Sequence, residues 1–180
     1  FLTRRPTTIT LPFLFGGGVR GVKETALMVI LKEGMAAPPF EGIDQEGRIV
    51  RLSDFKGKKL VLYFYPKDNT PGCTAEACNL RDNYDDFLNR GFAVVGVSAD
   101  SEKSHRNFAE KHSLPFRLLA DTSKKIVTDY GVYREKKMYG KNFLGIVRTT
   151  FIIDENGQIE SVIGKVDTKN HSEQIFKLYQ

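Results

Sequence analysis

Few of the residues that announce a particular protein class are present here. Two cysteines in 180 residues are too few for a secreted disulfide framework, and nothing supplies the four ligands of a structural zinc site. No run approaches the roughly 18 uncharged apolar residues that a membrane-spanning helix requires, so no membrane role is expected. Paired catalytic carboxylates and a metal-ligand cluster are also missing. The Gly16-Gly17-Gly18 triplet has neither the flanking strand nor the Lys of a phosphate-cradling loop. The formal charge of +5 is unevenly spread: in residues 1–27, Arg4, Arg5, Arg20 and Lys23 stand against Glu24 alone. What remains is an ordinary solvated surface without a basic block or an aromatic-basic repeat, which argues against a nucleic-acid partner. His105, His112 and His171 are scattered on or near helical stretches and read as surface or capping residues rather than ligands or general bases.

What is present suits a soluble globular domain: 41% of the residues are hydrophobic and 27% charged, enough for one buried core. Residues 1–27, FLTRRPTTITLPFLFGGGVRGVKETAL, are Thr- and Gly-rich with no period to trust. They are expected to be a disordered or non-native extension ahead of a domain over 28–180, with Met28 as the candidate native start. A basic, acid-poor targeting peptide is the alternative, and the cytoplasm is the location expected without one. From Ile43 the pattern alternates strand and helix. Ile43–Leu52 reads as a hairpin across Gln45-Glu46-Gly47, and LVLYFY (60–65) as a strand buried on both faces. From Thr74 to Arg90, Ala77, Leu80, Tyr84, Phe87 and Leu88 recur at helical steps, with Gly91 as the stop. FAVVGVS (92–98) is a second buried strand, and a Ser-capped helix follows over 101–112, which Pro115 ends. A short strand over 116–119 and a helix over 122–130 lead to a long polar loop through Lys136 and Lys137. RTTFIID and QIESVIG, joined by Asn156-Gly157, form a hairpin, and a helix starts near His171. This order predicts an α/β layer fold with a mixed sheet.

Cys73 and Cys78 lie in PKDNTPGCTAEAC, where the loop after a central strand turns into a helix. Such carboxyl-end loops are where open α/β sheets bind ligands. A helix N-terminus presents unpaired N–H groups and a positive dipole end, both of which favour a thiolate. Five residues apart on an intact helix, the two Cα atoms are roughly 8–9 Å apart, beyond the ~4.4–6.8 Å span of a disulfide. A permanent bond would destroy the helix. A transient one would require residues 73–80 to unwind on oxidation.

The stretch Pro66-x-x-x-Thr70-x-x-Cys73 resembles the active-site motif of the peroxiredoxins. The second cysteine five residues on is similar to the bacterioferritin-comigratory-protein branch, also called peroxiredoxin Q. The similarity runs over residues 30–180 through an APPFEG-like opening, VVGVSADS and Arg148-Thr-Thr-Phe. It implies a thioredoxin-like fold, a mixed sheet flanked by helices with an N-terminal hairpin. It also implies a monomeric thiol peroxidase for hydrogen peroxide and alkyl hydroperoxides that is recycled by thioredoxin or a similar dithiol and needs no cofactor or metal. By the same resemblance Cys73 would be the peroxidatic thiolate and Cys78 the resolving thiol that closes an intramolecular disulfide. Thr70 would aim its hydroxyl at thiolate and peroxide, Arg148 would stabilise the developing charge, and Pro66 would shield the site. A peroxide-sensing switch built on the same pair is the competing function. A thioredoxin-like disulfide reductase would favour Cys-x-x-Cys instead.

Overall fold

The computed structural model describes residues 30–180, so the expectations for residues 1–27 and for Met28 lie outside it. Strand β3 (Lys59–Phe64) is the middle of a five-stranded sheet in which β4 (Phe92–Ser98) and β5 (Arg117–Ala120) run parallel to it on one side. On the other side, β8 (Thr149–Ile153) and then β9 (Ile159–Ile163) pair antiparallel, giving the order β5-β4-β3-β8-β9. Alternation along β3 builds two cores. Leu60, Leu62 and Phe64 face a layer completed by Val50, Ile126, Val127 and Tyr130. Val61, Tyr63 and Tyr65 face the opposite layer, with Cys73, Ala77, Leu80, Phe87, Phe108 and Ile175. The first layer draws on the hairpin of β1 (Glu41–Ile43) and β2 (Ile49–Arg51) and on α4 (Lys125–Asp129). The second draws on α1 (Pro71–Asp82), α2 (Tyr84–Asn89), α3 (Glu102–His112) and α5 (His171–Phe176). Among the described residues no helix is long and apolar enough to cross a membrane.

Four local expectations need correction. The polar loop through Lys136 and Lys137 is a separate two-stranded ribbon, β6 (Tyr133–Met138) with β7 (Lys141–Ile146). Tyr139 and Gly140, at φ 51° and 75°, make its two-residue turn. Most of its residues are exposed, so no buried face imposes an apolar alternation. The long helix starts at Pro71, where the missing N–H costs nothing, and is interrupted at Asn83, whose amide Nδ2 donates back to the Asn79 carbonyl at 2.8 Å. The helix expected over 122–130 shortens to α4, because Lys124 adopts φ 61° and Asp121 Oδ2 receives the Val127 N–H at 2.8 Å. In the β8–β9 turn the Gly157 N–H bonds to the Asp154 carbonyl and only Gly157 has positive φ. Asn156-Gly157 is therefore the second half of a longer turn, not a two-residue one. The Ser101 cap of α3 is present, its Oγ accepting from Ser104 N at 3.2 Å.

Gly96, opposite Tyr63 in the β3–β4 pair, makes way for that ring. A Cβ there would lie 2.7 Å from Tyr63 Cζ and 2.8 Å from both Tyr63 Oη and Leu118 Cδ2. Gly96→Ala is expected to destabilise the fold by about 1–3 kcal/mol through overpacking. An unchanged urea midpoint would refute this.

Candidate functional site

The loop from Pro66 to Thr70 leaves the carboxyl end of β3 and is held from inside. Asp68 turns inward and is buried. Its backbone N–H bonds to Asp100 Oδ2 (2.8 Å), its Oδ1 accepts from Tyr65 Oη (2.7 Å), and its Oδ2 meets Ser104 Oγ and His105 Nδ1, both at 2.8 Å. Burial pushes the Asp68 carboxyl up, but the bonds from His105, Tyr65 and Ser104 outweigh it and hold the group below the usual carboxylate range. The other imidazole nitrogen of His105 faces the Leu119 carbonyl at 3.0 Å. Both ring nitrogens thus face oxygen acceptors, and the pair is a buried clamp on the loop. Asp68, Asp100 and His105 are also the described trio whose ligand atoms lie within 4.8 Å of one another. The facing atoms are taken up by Ser98, Ser104, Tyr65 and a backbone N–H, an arrangement of a hydrogen-bonded clamp rather than an ion cage.

Thr70 precedes α1 in extended conformation, Pro71 opens the helix, and Cys73 is its third residue, among the N–H groups without a helical partner. Cys73 is 2% exposed, and its Sγ receives Arg148 Nη2 at 3.2 Å. The lack of a side chain at Gly72 makes room, since a Cβ there would meet the same Nη2 at 3.2 Å. Arg148 lies between β7 and β8 and forks, its Nη1 donating to Glu76 Oε2, one turn beyond Cys73. Burial works against its charge, but Glu76 and Cys73 together raise its pKa. The guanidinium therefore stays charged and bridges thiol and carboxylate.

Thr70 stands immediately before α1, and its Oγ1 donates to the Lys67 carbonyl at 3.0 Å, so its proton is engaged in the turn. Pro66 stands two residues past the end of β3, half-buried at the start of the loop. Cys78 is half-buried on the same continuous helix, its Sγ 3.8 Å from Nδ1 of His112, whose carbonyl accepts from Arg81 Nη1 at 2.7 Å. Both cysteines are free thiols. A 270 Å³ apolar cavity lined by Ala37, Leu52, Phe55, Leu60 and Ile153 lies at the opposite end of β3 and β8, away from Cys73.

Two members of the site escaped sequence reasoning. Glu76 is fully buried, although it occupies the Cys73, Glu76, Ala77, Leu80 stripe of α1. An acid on the apolar face of a helix was the signal available. His171, expected at the surface, is fully buried too, as is His105, because polar partners inside the core satisfy both rings. Gln174 Nε2 donates to the Lys165 carbonyl (2.7 Å) and so aims its Oε1 at His171 Nδ1 (3.0 Å). The ring proton therefore sits on Nδ1, leaving Nε2 to accept from Thr150 Oγ1 at 2.8 Å. Nε2 also lies 3.7 Å from Glu76 Oε1, which is buried without a hydrogen-bond partner.

Burial pushes Glu76 up to about 7, a rise that the charge and hydrogen bond of Arg148 only partly offset. His171 is pushed down to about 4, chiefly by burial, with the Gln174 bond opposing. From about pH 4.5 to 7, native Glu76 keeps a proton that the unfolded chain has lost, so this residue alone makes stability fall as pH rises. From about pH 4 to 6.5, native His171 lacks a proton that the unfolded chain holds, so it alone makes stability rise with pH. The two slopes oppose one another where the windows overlap. In Glu76→Gln only the histidine slope remains, and stability is expected to drop by about 3 kcal/mol more than in the wild type between pH 6.5 and 4. Parallel curves of urea midpoint against pH would refute this.

The model of the AhpC/TSA family matches residues 34–162. Peroxiredoxin Bcp of Bacillus subtilis is 47% identical over 138 residues, which is 77% of this chain and 88% of the relative. Its Escherichia coli K12 counterpart is 45% identical over 141 residues, 78% and 90% of the two chains. Among solved structures, Xanthomonas campestris peroxiredoxin Q superposes with a TM-score of 0.74 at 36% identity, covering 78% of this chain and 89% of that one. A structure of Xanthomonas campestris bacterioferritin comigratory protein, described as giving insights into its alkyl peroxide reduction activity, superposes with a TM-score of 0.75 at 34% identity, covering 82% and 96%.

Proposed function

Because the chain belongs to the AhpC/TSA family, in its Bcp and peroxiredoxin Q branch, and is accordingly a thiol peroxidase, we propose that Cys73 carries the peroxide chemistry and Cys78 resolves it. The observation that carries this reading is the Arg148 fork, one guanidinium donating to both Cys73 Sγ and Glu76. A fixed cation beside a helix-start sulfur is already placed for charge that develops on a peroxide oxygen. The Cys73 thiolate attacks the terminal oxygen of ROOH and the O–O bond breaks. Sulfur becomes the sulfenic acid, and the departing RO⁻ takes a proton to leave as alcohol, or as water from hydrogen peroxide. Cys78–SH then condenses with Cys73–SOH, forming the disulfide and releasing water. A dithiol reductant of the thioredoxin type restores both thiols by exchange.

The second step needs α1 to open, since helical spacing holds the two Cα atoms roughly 8–9 Å apart. Thr70 serves in the first step by turning its hydroxyl from the Lys67 carbonyl toward bound peroxide, and Pro66 keeps water from that side. In this reading residues 28–180 are the working domain, acting as a monomer in the cytoplasm. The test is peroxide-dependent NADPH oxidation with thioredoxin and thioredoxin reductase, followed by mass spectrometry of the chain after one equivalent of peroxide. Turnover together with a Cys73–Cys78 disulfide supports the cycle. A clean disulfide without turnover would point to the sensor instead.

A further inference from the structure

One side chain fastens the segment that must unwind to the C-terminal helix. Asn79, the neighbour of Cys78 in α1, donates through Nδ2 to the Lys169 carbonyl at 2.9 Å and accepts through Oδ1 from Ser172 N at 2.7 Å. The Asn79 carbonyl also receives Ser172 Oγ at 3.2 Å. Ser172 is the second residue of α5, and Asn170, which precedes that helix, provides no side-chain cap. A free N–H of the α5 first turn is thus capped from outside, by α1. The fastening is backed by packing: Ile175 is buried in the core that holds Cys73, Ala77 and Leu80, and the Phe176 ring lies 4.5 Å from that of Phe87. These bonds hold the residue next to Cys78 in place on α1.

Resting on the Cys73–Cys78 cycle above, we propose that Asn79 is a positioning residue that sets how long oxidised Cys73 waits for Cys78. Two outcomes compete for the sulfenic acid. In one, Cys73–SOH and Cys78–SH give the disulfide and water. In the other, a second peroxide attacks: Cys73–SOH and ROOH give Cys73–SO₂H and ROH, with sulfur oxidised and the peroxide reduced. A tight clamp lengthens the wait and sends more molecules down the second route. A loose one favours the disulfide.

The experiment is a peroxide titration of the full chain under turnover with thioredoxin, in which mass spectrometry counts sulfinic acid against disulfide. In Asn79→Ala, disulfide formation is expected to be roughly tenfold faster, the factor that corresponds to about 1.4 kcal/mol of lost hydrogen bonding. The sulfinic fraction falls accordingly, while the first oxidation keeps its rate. Asn79→Asp, which retains the acceptor for Ser172 N but loses the donor, is expected to fall between. Should the alanine variant fail to fold, hydrogen exchange on the wild type decides: a shared clamp requires the amides of residues 77–82 and those of α5 to open together, and independent opening overturns the proposal. A wild type that forms no disulfide would instead refute the cycle. A normal disulfide with an unchanged partition in Asn79→Ala refutes the role of Asn79 alone.

Discussion

Cys73→Ser is expected to end peroxide turnover, with a loss on the order of 10⁴-fold or more. Serine is close in size, so the 2% exposed position in α1 stays filled and the fold should persist. What disappears is the nucleophile, because a hydroxyl does not ionise even with Arg148 Nη2 where it lies now, 3.2 Å from the sulfur. Cys78→Ser separates the two roles. It should consume one equivalent of peroxide at the wild-type rate and then stop at the sulfenic acid, or continue to the sulfinic acid in excess peroxide. A stopped-flow record of peroxide loss measures both. Residual Cys73→Ser activity above about a hundredth of wild type, or a missing first turnover in Cys78→Ser, would reverse the assignment.

Arg148→Ala is expected to slow the first oxidation by about 10²–10³-fold, the usual cost of removing one preorganised charge donor. Arg148→Lys should recover only part of this, because an ammonium cannot reach Cys73 and Glu76 as a planar fork does. A second effect separates catalysis from folding. Without the guanidinium, Glu76 is left in the core with one oxygen already lacking a hydrogen-bond partner, and stranding a buried charge costs about 3–5 kcal/mol unless the carboxyl takes up a proton. At alkaline pH, where the carboxyl is charged, adding Glu76→Gln should therefore restore much of the thermal stability and none of the peroxide reactivity. If activity and melting temperature return together, the arginine is structural.

The parts of this molecule that were legible in the sequence are those where burial writes a period. LVLYFY and FAVVGVS are buried on both faces, and each emerged as a central strand. The Ser101 cap opens α3, which closes at a left-handed Ser113 two residues before Pro115. Cys73 and Arg148, 75 positions apart, meet at 3.2 Å, a contact no local pattern reveals and only the resemblance suggested. Where polar groups are solved by other polar groups, the sequence looked like surface. His105 and His171 vanish into the core because Asp68, Thr150 and Gln174 wait for them; Gln174 is a neighbour on α5, but Asp68 comes from the loop after β3 and Thr150 from β8, both far off in sequence. The β6–β7 ribbon was unreadable for the opposite reason: with most of its residues in water, hydrophobic alternation has nothing to record.

The interruption at Asn83 bears on speed as well as shape. It separates α1 from α2, which is anchored by Phe87 against Phe92 and Phe176, so the proposed opening has a boundary and need not spread into the core. In the proposed cycle each round would contain a miniature folding reaction of about two helical turns, residues 73–80. Helix–coil relaxation on this scale takes about 0.1–1 μs. In that cycle the backbone can therefore open and close many times within one turnover, so that the fasteners around α1, rather than the chain's own motion, would set its rhythm.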